Sequence, residues 1–263
     1  MSSDLYEQEN YLTPDKYVSG HIVEYDMEKA NINMLLKANV IDQNYYNFLY
    51  YLPKQDREIE VGKLHFKNPD ISKIISEQLR YYRKIFFELN DIKDEEVVRI
   101  AKDAIFILKS YNLTNISFDG VIFRPKMVAS AMLNLNKILI FSNYNEQNQI
   151  NIEVKGLGSN DVLHQQGMLV LIANVMYMID RVSIKDALLY IQDTYKQYIN
   201  LELPIDYYRE FNSYSCFKIK DMDLSPMYLN EKDKDILDIS FNINFIRELY
   251  SIVFNMYMIY NRL

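Results

Sequence analysis

Two acidic residues, Asp26 and Asp103, stand where the pattern of the sequence changes. Asp26 follows the apolar run 21–25 and precedes a helical pattern, whereas Asp103 lies between the apolar runs 97–100 and 104–108. A carboxylate at a strand end or a hairpin tip projects from a sheet edge, where aspartates commonly bind divalent metal ions. If the two strands are neighbours in one sheet, the pair predicts a metal-dependent site.

Each aspartate also has an ordinary structural interpretation. An aspartate between a strand and a helix is a frequent N-cap, and an aspartate at a hairpin tip is a common turn residue. Other candidates are weaker. His21, His65 and His164 are too far apart in sequence to suggest a metal site, so we expect structural roles for them. Cys216 is the only cysteine, which excludes an internal disulfide, and no histidine lies near it in sequence, so we do not expect a catalytic thiol.

The elements that must position these residues form an α+β pattern. Asp42 and Asp70 are predicted N-caps of helices, and Asp119-Gly120 is a predicted two-residue hairpin turn. After the hairpin region the chain is predicted to be mainly helical, with one more short strand. The later helices are predicted at 162–180, 184–199 and 241–260, and the strand at 216–219.

Composition limits the class of protein. The chain has 263 residues, of which 49% are hydrophobic, so it can bury a sizeable core. We find no signal peptide and no apolar stretch of about 18 residues, and we therefore expect an intracellular protein without a membrane span. The net charge of −7 is unfavourable for broad, nonspecific binding of nucleic acid. It leaves room for a local basic groove around an acidic site.

Four short motifs occur in the order found in family B DNA polymerases. Residues 25–33 resemble the first palm motif, and residues 100–106 resemble the Asp-Thr-Asp-Ser hairpin. In that hairpin Asp103 matches the second aspartate, which is the metal ligand of the family, and Ala101 replaces the first aspartate. Residues 123–126 resemble the following lysine-rich motif, and residues 154–157 resemble the Lys-Gly-Leu step before the thumb. The resemblance covers roughly residues 20–165.

This resemblance implies a fold, a reaction and a set of residues. It implies a small antiparallel palm-like sheet flanked by helices over residues 1–158, with a helical insertion at about 40–90, and a helical thumb-like region over 159–263. It implies a phage-encoded polymerase in the host cytoplasm that extends primed DNA with two Mg²⁺ ions on Asp26 and Asp103. The basic residues expected to contact DNA or nucleotide are Arg57, Lys63, Arg80, Arg83, Lys84, Lys126 and Lys155.

Two alternatives stay open. The fingers motif that holds the incoming nucleotide is missing, with Arg57–Gly62 as a weak substitute, so an inactive polymerase-derived scaffold is a second hypothesis. The apolar C-terminal helix, 241–260, would then bind a protein partner or a second copy. A third hypothesis is an interaction protein unrelated to polymerases. It requires Asp26 and Asp103 to lie more than roughly 10 Å apart, too far for a shared two-ion site.

Overall fold

The computed structural model describes residues 5–109, 112–135, 138–157, 166–204, 207–208, 215–219 and 240–261. The chain forms two compact units: unit 1 comprises residues 1–14 and 20–128, and unit 2 comprises residues 15–19 and 129–263. The predicted division into 1–158 and 159–263 stays a prediction, because residues 158–165 lie outside the described part.

Unit 1 combines antiparallel strands with four helices. The helices are α1 (Ala30–Lys37), α2 (Gln43–Tyr51), α3 (Lys54–Lys67) and α4 (Ile71–Leu89). The strands are β1 (Asn10–Leu12), β2 (Tyr17–Met27), β3 (Val97–Ala101), β4 (Ala104–Leu108), β5 (Ser117–Phe118) and β6 (Val121–Leu135), of which β2 and β6 continue into unit 2. Short 3-10 turns occur at Leu5–Glu7 and Asp94–Glu96. The strand order is β1-β3-β4-β2-β6, and β5 pairs with β6.

Local sequence explains several of these boundaries. The Asp42 carboxylate accepts a hydrogen bond from the Tyr45 backbone N–H at 2.8 Å, which confirms the predicted N-cap of α2. Asp119 and Gly120 both have positive φ, at 47° and 71°, as a tight turn between twisted strands requires. Asp70 occupies the predicted position directly before α4, but its backbone is in the right-handed helical region and its side chain makes no capping hydrogen bond, so that part of the prediction is wrong.

The core of unit 1 lies on one face of β2. Val23, Tyr25 and Met27 alternate along that strand and pack with apolar residues of α1 and α4. The rings of Phe86 on α4 and Phe123 on β6 stack with centroids 4.2 Å apart, and both side chains are fully buried. Helix α4 therefore packs directly against β6 and against β2, the strand that carries Asp26.

Unit 2 contains three further strands and three further helices among its described residues. They are β7 (Ile138–Tyr144), β8 (Ile150–Leu157), β9 (Ser215–Ile219), α5 (Gln166–Arg181), α6 (Ile184–Ile199) and α7 (Ser240–Tyr260). Strand order continues as β6-β7-β8-β9, all antiparallel. Helix α5 is almost entirely apolar at its centre and is buried in the core of this unit. These elements confirm the predicted α+β class with a helical C-terminal part. Within the described ranges, no helix combines the length and hydropathy needed to cross a bilayer.

We predict that the Phe86–Phe123 stack is a principal source of stability in unit 1. Phe86→Ala removes a fully buried ring and should lower the free energy of unfolding by about 3–5 kcal/mol, measured by urea denaturation. The matched control is Phe66→Ala on α3, where the ring is 93% exposed and the expected change is within about 0.5 kcal/mol. Similar decreases in the free energy of unfolding in both variants would contradict the assignment of the Phe86–Phe123 stack to the core.

Candidate functional site

Strand pairing brings the two predicted aspartates together. Asp26, near the end of β2, is directly opposite Ala104 in the antiparallel pairing of β2 with β4, and Asp103 immediately precedes Ala104. The backbone N–H of Met27 donates to the Asp103 carbonyl at 3.1 Å, which ties the strand end to the hairpin tip. Both aspartates line one cavity of about 300 Å³. Residues 77 positions apart in sequence are thus neighbours in the fold.

A third carboxylate, Glu24, lies on the same face of β2 as Asp26. Side chains two positions apart in a strand project from one face, opposite to Val23 and Tyr25 in the core. Glu24 is only 2% exposed, and its charge acts on the guanidinium of Arg99 on β3. Sequence reasoning missed this residue, although the acidic residues at alternate positions 24 and 26 were a usable signal.

Strand β6 supplies cations to the residues around Asp26. The Lys126 ammonium donates a hydrogen bond to Asp26 Oδ2 at 3.1 Å. Two positions earlier, Arg124 makes an ion pair with Glu28 at 2.9 Å. The predicted lysine-rich segment therefore contacts the first aspartate motif through two ion pairs. The role of Arg124 was not predicted, because an ion pair across 96 residues has no local sequence pattern.

The electrostatic environment disfavours two ionised aspartates. Burial, and then the negative charge of Asp26, raise the pKa of Asp103 above its usual value of 3.8. Burial alone would lower the pKa of Lys126, but its hydrogen bond to Asp26 and the nearby negative charges outweigh burial and raise it. Lys126 thus stays protonated beside Asp26. Ionisation of Asp103 is unfavourable, because its carboxyl group is partly buried and close to the negative charge of Asp26.

Three cations line the same cavity as the aspartates, and we name it the carboxylate cavity. They are Lys29, which precedes α1, and Lys54 and Arg57 at the start of α3. Lys29 donates to the Tyr50 carbonyl at 2.7 Å. Burial, and then the positive charge of Arg57, lower the pKa of Lys29. Three cations in one cavity attract a ligand that carries negative groups.

The other predicted basic residues have separate surroundings. Lys63 forms an ion pair with Glu60 at 2.6 Å, and Lys84 pairs with Glu88 on the exposed side of α4. Arg80 contacts Glu9 at 3.6 Å. Lys155 belongs to unit 2, where it lies 3.8 Å from Glu153. Arg83 is buried in unit 1 and bonds to backbone carbonyls, so its position differs from that of its exposed neighbours on α4.

The histidines of the described part make ordinary hydrogen bonds. His21 Nε2 lies 3.1 Å from Asn112 Oδ1, and His65 Nδ1 lies 3.1 Å from the Ser72 hydroxyl. His164 falls outside the described residues. Cys216 lies on β9. Across the described residues, no group of three or more His, Cys, Asp or Glu side chains is arranged to hold a metal ion. Glu24 shares a face of β2 with Asp26 and Glu58 lines the carboxylate cavity, but among the described residues neither forms a three-ligand group with the aspartates, which are therefore the candidate metal ligands.

Comparison with known proteins adds one finding. A family model described as the bacteriophage PBS1 gene 130 protein matches residues 1–255. The chain belongs to this family. The match includes both aspartates and nearly all of both units, and it agrees with the expected phage origin. The matched family is not described as a DNA polymerase family, so the resemblance to family B stays a prediction. No curated protein matches the sequence significantly.

We predict that Asp103 lowers stability at neutral pH. Its folded-state pKa is raised, so the folded protein binds the proton more tightly than the unfolded chain, and stability falls as pH rises through the folded-state pKa. Asp103→Asn should therefore raise the thermal midpoint at pH 7, by about 2–4 °C for each 1 kcal/mol recovered in a chain of this size. The gain should vanish near pH 3, where the wild-type aspartate is protonated.

The matched control for this measurement is Asp70→Asn, at an exposed position before α4. Its thermal midpoint, followed by circular dichroism, should equal that of the wild type at pH 7. A lower midpoint for Asp103→Asn than for the wild type at pH 7 would contradict the electrostatic assignment.

Proposed function

We propose that this phage-family protein carries a two-metal nucleotidyl-transfer site that extends primed DNA in the host cytoplasm. One observation carries the proposal: Asp26 at a strand end and Asp103 at the adjacent hairpin tip line one cavity together with Lys29, Lys54 and Arg57. This combination of paired acids and nearby cations suits a substrate that has a triphosphate and requires divalent ions.

The donor set fits magnesium in chemical type. Mg²⁺ prefers hard oxygen ligands and is commonly bound through one or two carboxylates, with water and substrate phosphate completing its coordination. Asp26 and Asp103 would hold the metal. The pKa of Asp103 is raised by burial and then by the charge of Asp26, and a bound cation would offset both effects. When bound, divalent ions would activate the attacking hydroxyl and neutralise charge on the phosphates.

The residues of the chain itself have separate tasks in this proposal. Lys126 holds the Asp26 carboxylate in a fixed orientation through its hydrogen bond. Arg57 and Lys54 bind the phosphates of the incoming nucleotide, the guanidinium by its paired N–H groups and the ammonium as a point charge. Because these groups line the same cavity as the aspartates, they would orient the nucleotide for attack.

The direct test is primer extension with Mg²⁺ or Mn²⁺ on a primed DNA template. We expect extension by the wild type and a loss of at least about a hundredfold in Asp26→Asn and in Asp103→Asn, since each removes a charged ligand of the proposed ions. Asp70→Asn, outside the cavity, should retain full activity. Folded wild-type protein that extends no primer on any template would refute the proposal.

A second candidate is a non-catalytic binding subunit. It is favoured by the Lys126 ammonium on Asp26, which already neutralises one of the two proposed ligands. It is favoured also by the end of α7, where several apolar side chains are exposed in unit 2. They are Phe254, Met258, Ile259 and Tyr260. Exposed apolar side chains that cluster in this way are typical of surfaces that contact another protein.

The second candidate predicts association through α7. Ile259, 64% exposed, is replaced by glutamate, and the mass in solution is measured by analytical ultracentrifugation. If the wild type is a dimer, Ile259→Glu should be a monomer, because association would bury a charge. Ile59→Glu on α3, where the side chain is 53% exposed, is the matched control and should leave the mass unchanged. A wild type that is monomeric at all concentrations would exclude self-association by this helix.

A further inference from the structure

A second cavity of unit 1, of about 430 Å³, lies beside the carboxylate cavity. We name it the guanidinium cavity because Arg83 lines it. Its other polar lining residues include Glu9, His65, Ser72 and Ser76. Asn31 and Asp103 line both cavities, so the two spaces meet at the tip of the β3–β4 hairpin.

Arg83 is held in a fixed position with one nitrogen unused. Its side chain is 1% exposed, its Nε donates to the Tyr6 carbonyl at 2.9 Å, and its Nη1 donates to the Lys102 carbonyl at 2.6 Å. The Nη2 atom is buried, and it finds no hydrogen-bond acceptor within the described part of the chain. Buried donors are almost always paired in folded proteins, so this nitrogen indicates a ligand.

The charge of Arg83 leads to the same conclusion. Burial, and then repulsion by Arg80, lower the pKa of Arg83 to about 10, so the guanidinium is still charged at neutral pH. In the described part of unit 1, no carboxylate forms an ion pair with it, although the charges of Glu9 and Asp103 act on it from farther away in the same cavity. A buried cation bound only to neutral carbonyls retains most of its attraction for an anion. The Ser72 and Ser76 hydroxyls line the same space, where Ser72 lies 3.1 Å from His65 Nδ1 and Ser76 is hydrogen-bonded to Glu9.

We propose that the guanidinium cavity binds a terminal phosphate group, with Arg83 Nη2 as the principal donor. A phosphate offers several acceptor oxygens in different directions and is a suitable acceptor for a guanidinium nitrogen that has no other partner. The phosphate must be terminal, because Nη2 is buried and a continuous nucleic-acid backbone could not enter with both neighbouring nucleotides. Identification of this group as part of a nucleoside triphosphate or a released pyrophosphate rests on the function proposed above.

Asp103 makes the two cavities electrostatically dependent on each other. Its carboxylate lines the guanidinium cavity and repels an anion there, whereas the charge of Glu9 is partly balanced by Arg80 at 3.6 Å. Removal of the Asp103 charge should therefore strengthen phosphate binding in the absence of metal. The same change would remove a proposed metal ligand. Asp103→Asn should therefore raise the affinity of the guanidinium cavity for phosphate and lower the affinity of the carboxylate cavity for metal.

The test measures pyrophosphate binding to the full chain by isothermal titration calorimetry, in EDTA. We expect wild-type binding, and at least about tenfold weaker binding in Arg83→Lys and Arg83→Met, since a charge-assisted hydrogen bond is lost. Ser76→Glu should abolish binding, because it adds a negative charge to the cavity. This variant leaves Arg83 intact and still tests the proposal if the Arg83 variants fail to fold. Asp103→Asn should bind more tightly than the wild type.

Lys73→Met is the matched control, since Lys73 is exposed on α4 and pairs with Glu77 outside the cavity. It should bind pyrophosphate as the wild type does. A 5′-phosphorylated oligonucleotide, compared with the same strand without the phosphate, distinguishes a strand end from a free nucleotide as the source of the group. No pyrophosphate binding by the wild type, or equal binding by Ser76→Glu, would overturn the proposal.

The outcomes of the two proposals are distinguishable. Pyrophosphate binding in EDTA without any primer extension would refute the transfer reaction and leave the phosphate site standing. Primer extension together with no pyrophosphate binding by the wild type would refute the phosphate site alone.

Discussion

The antiparallel pairing of β2 with β4 is the constraint on which the candidate site depends. It places Asp26 opposite Ala104, one residue from Asp103, and the hydrogen bond from Met27 to the Asp103 carbonyl fixes the hairpin tip against the strand. A shift of one residue in this pairing would turn Asp26 to the opposite face, into the apolar core. The register is maintained because Val23, Tyr25 and Met27 are buried on that face.

This register brings like charges together, and the surrounding elements partly compensate for them. Lys126 on β6 binds Asp26, and cations from α1 and α3 line the same cavity. The pKa of Asp103 nevertheless stays raised, first because its carboxyl group is partly buried and then because of the charge of Asp26. Repulsion retained in a folded protein is commonly a feature of functional sites, where stability is exchanged for affinity toward a ligand. Local cations also explain how a chain of net charge −7 could bind an anion.

The sequence predicted the elements better than it predicted their contacts. The β3–β4 hairpin, the Asp42 cap and the turn at Asp119-Gly120 follow from local preferences for certain residues at certain backbone angles. Asp70 marks the predicted start of α4 but makes no capping hydrogen bond, since a favourable residue type does not ensure the extended backbone that such a bond needs. Arg83 was grouped with exposed basic neighbours, because clustering in sequence does not reveal which face of a helix is buried.

The sequence by itself therefore determined the α+β class, the two acidic positions at a strand end and a hairpin tip, and the apolar patterns of the helices. These depend on interactions among residues within a few positions of one another. Only the tertiary structure decided that the aspartates meet, that Glu24 shares a face with Asp26, and that Arg83, with its buried nitrogen, lines a cavity together with Asp103. The reason is physical: strand register, burial and pKa depend on groups that are distant in sequence and become neighbours only when the chain folds.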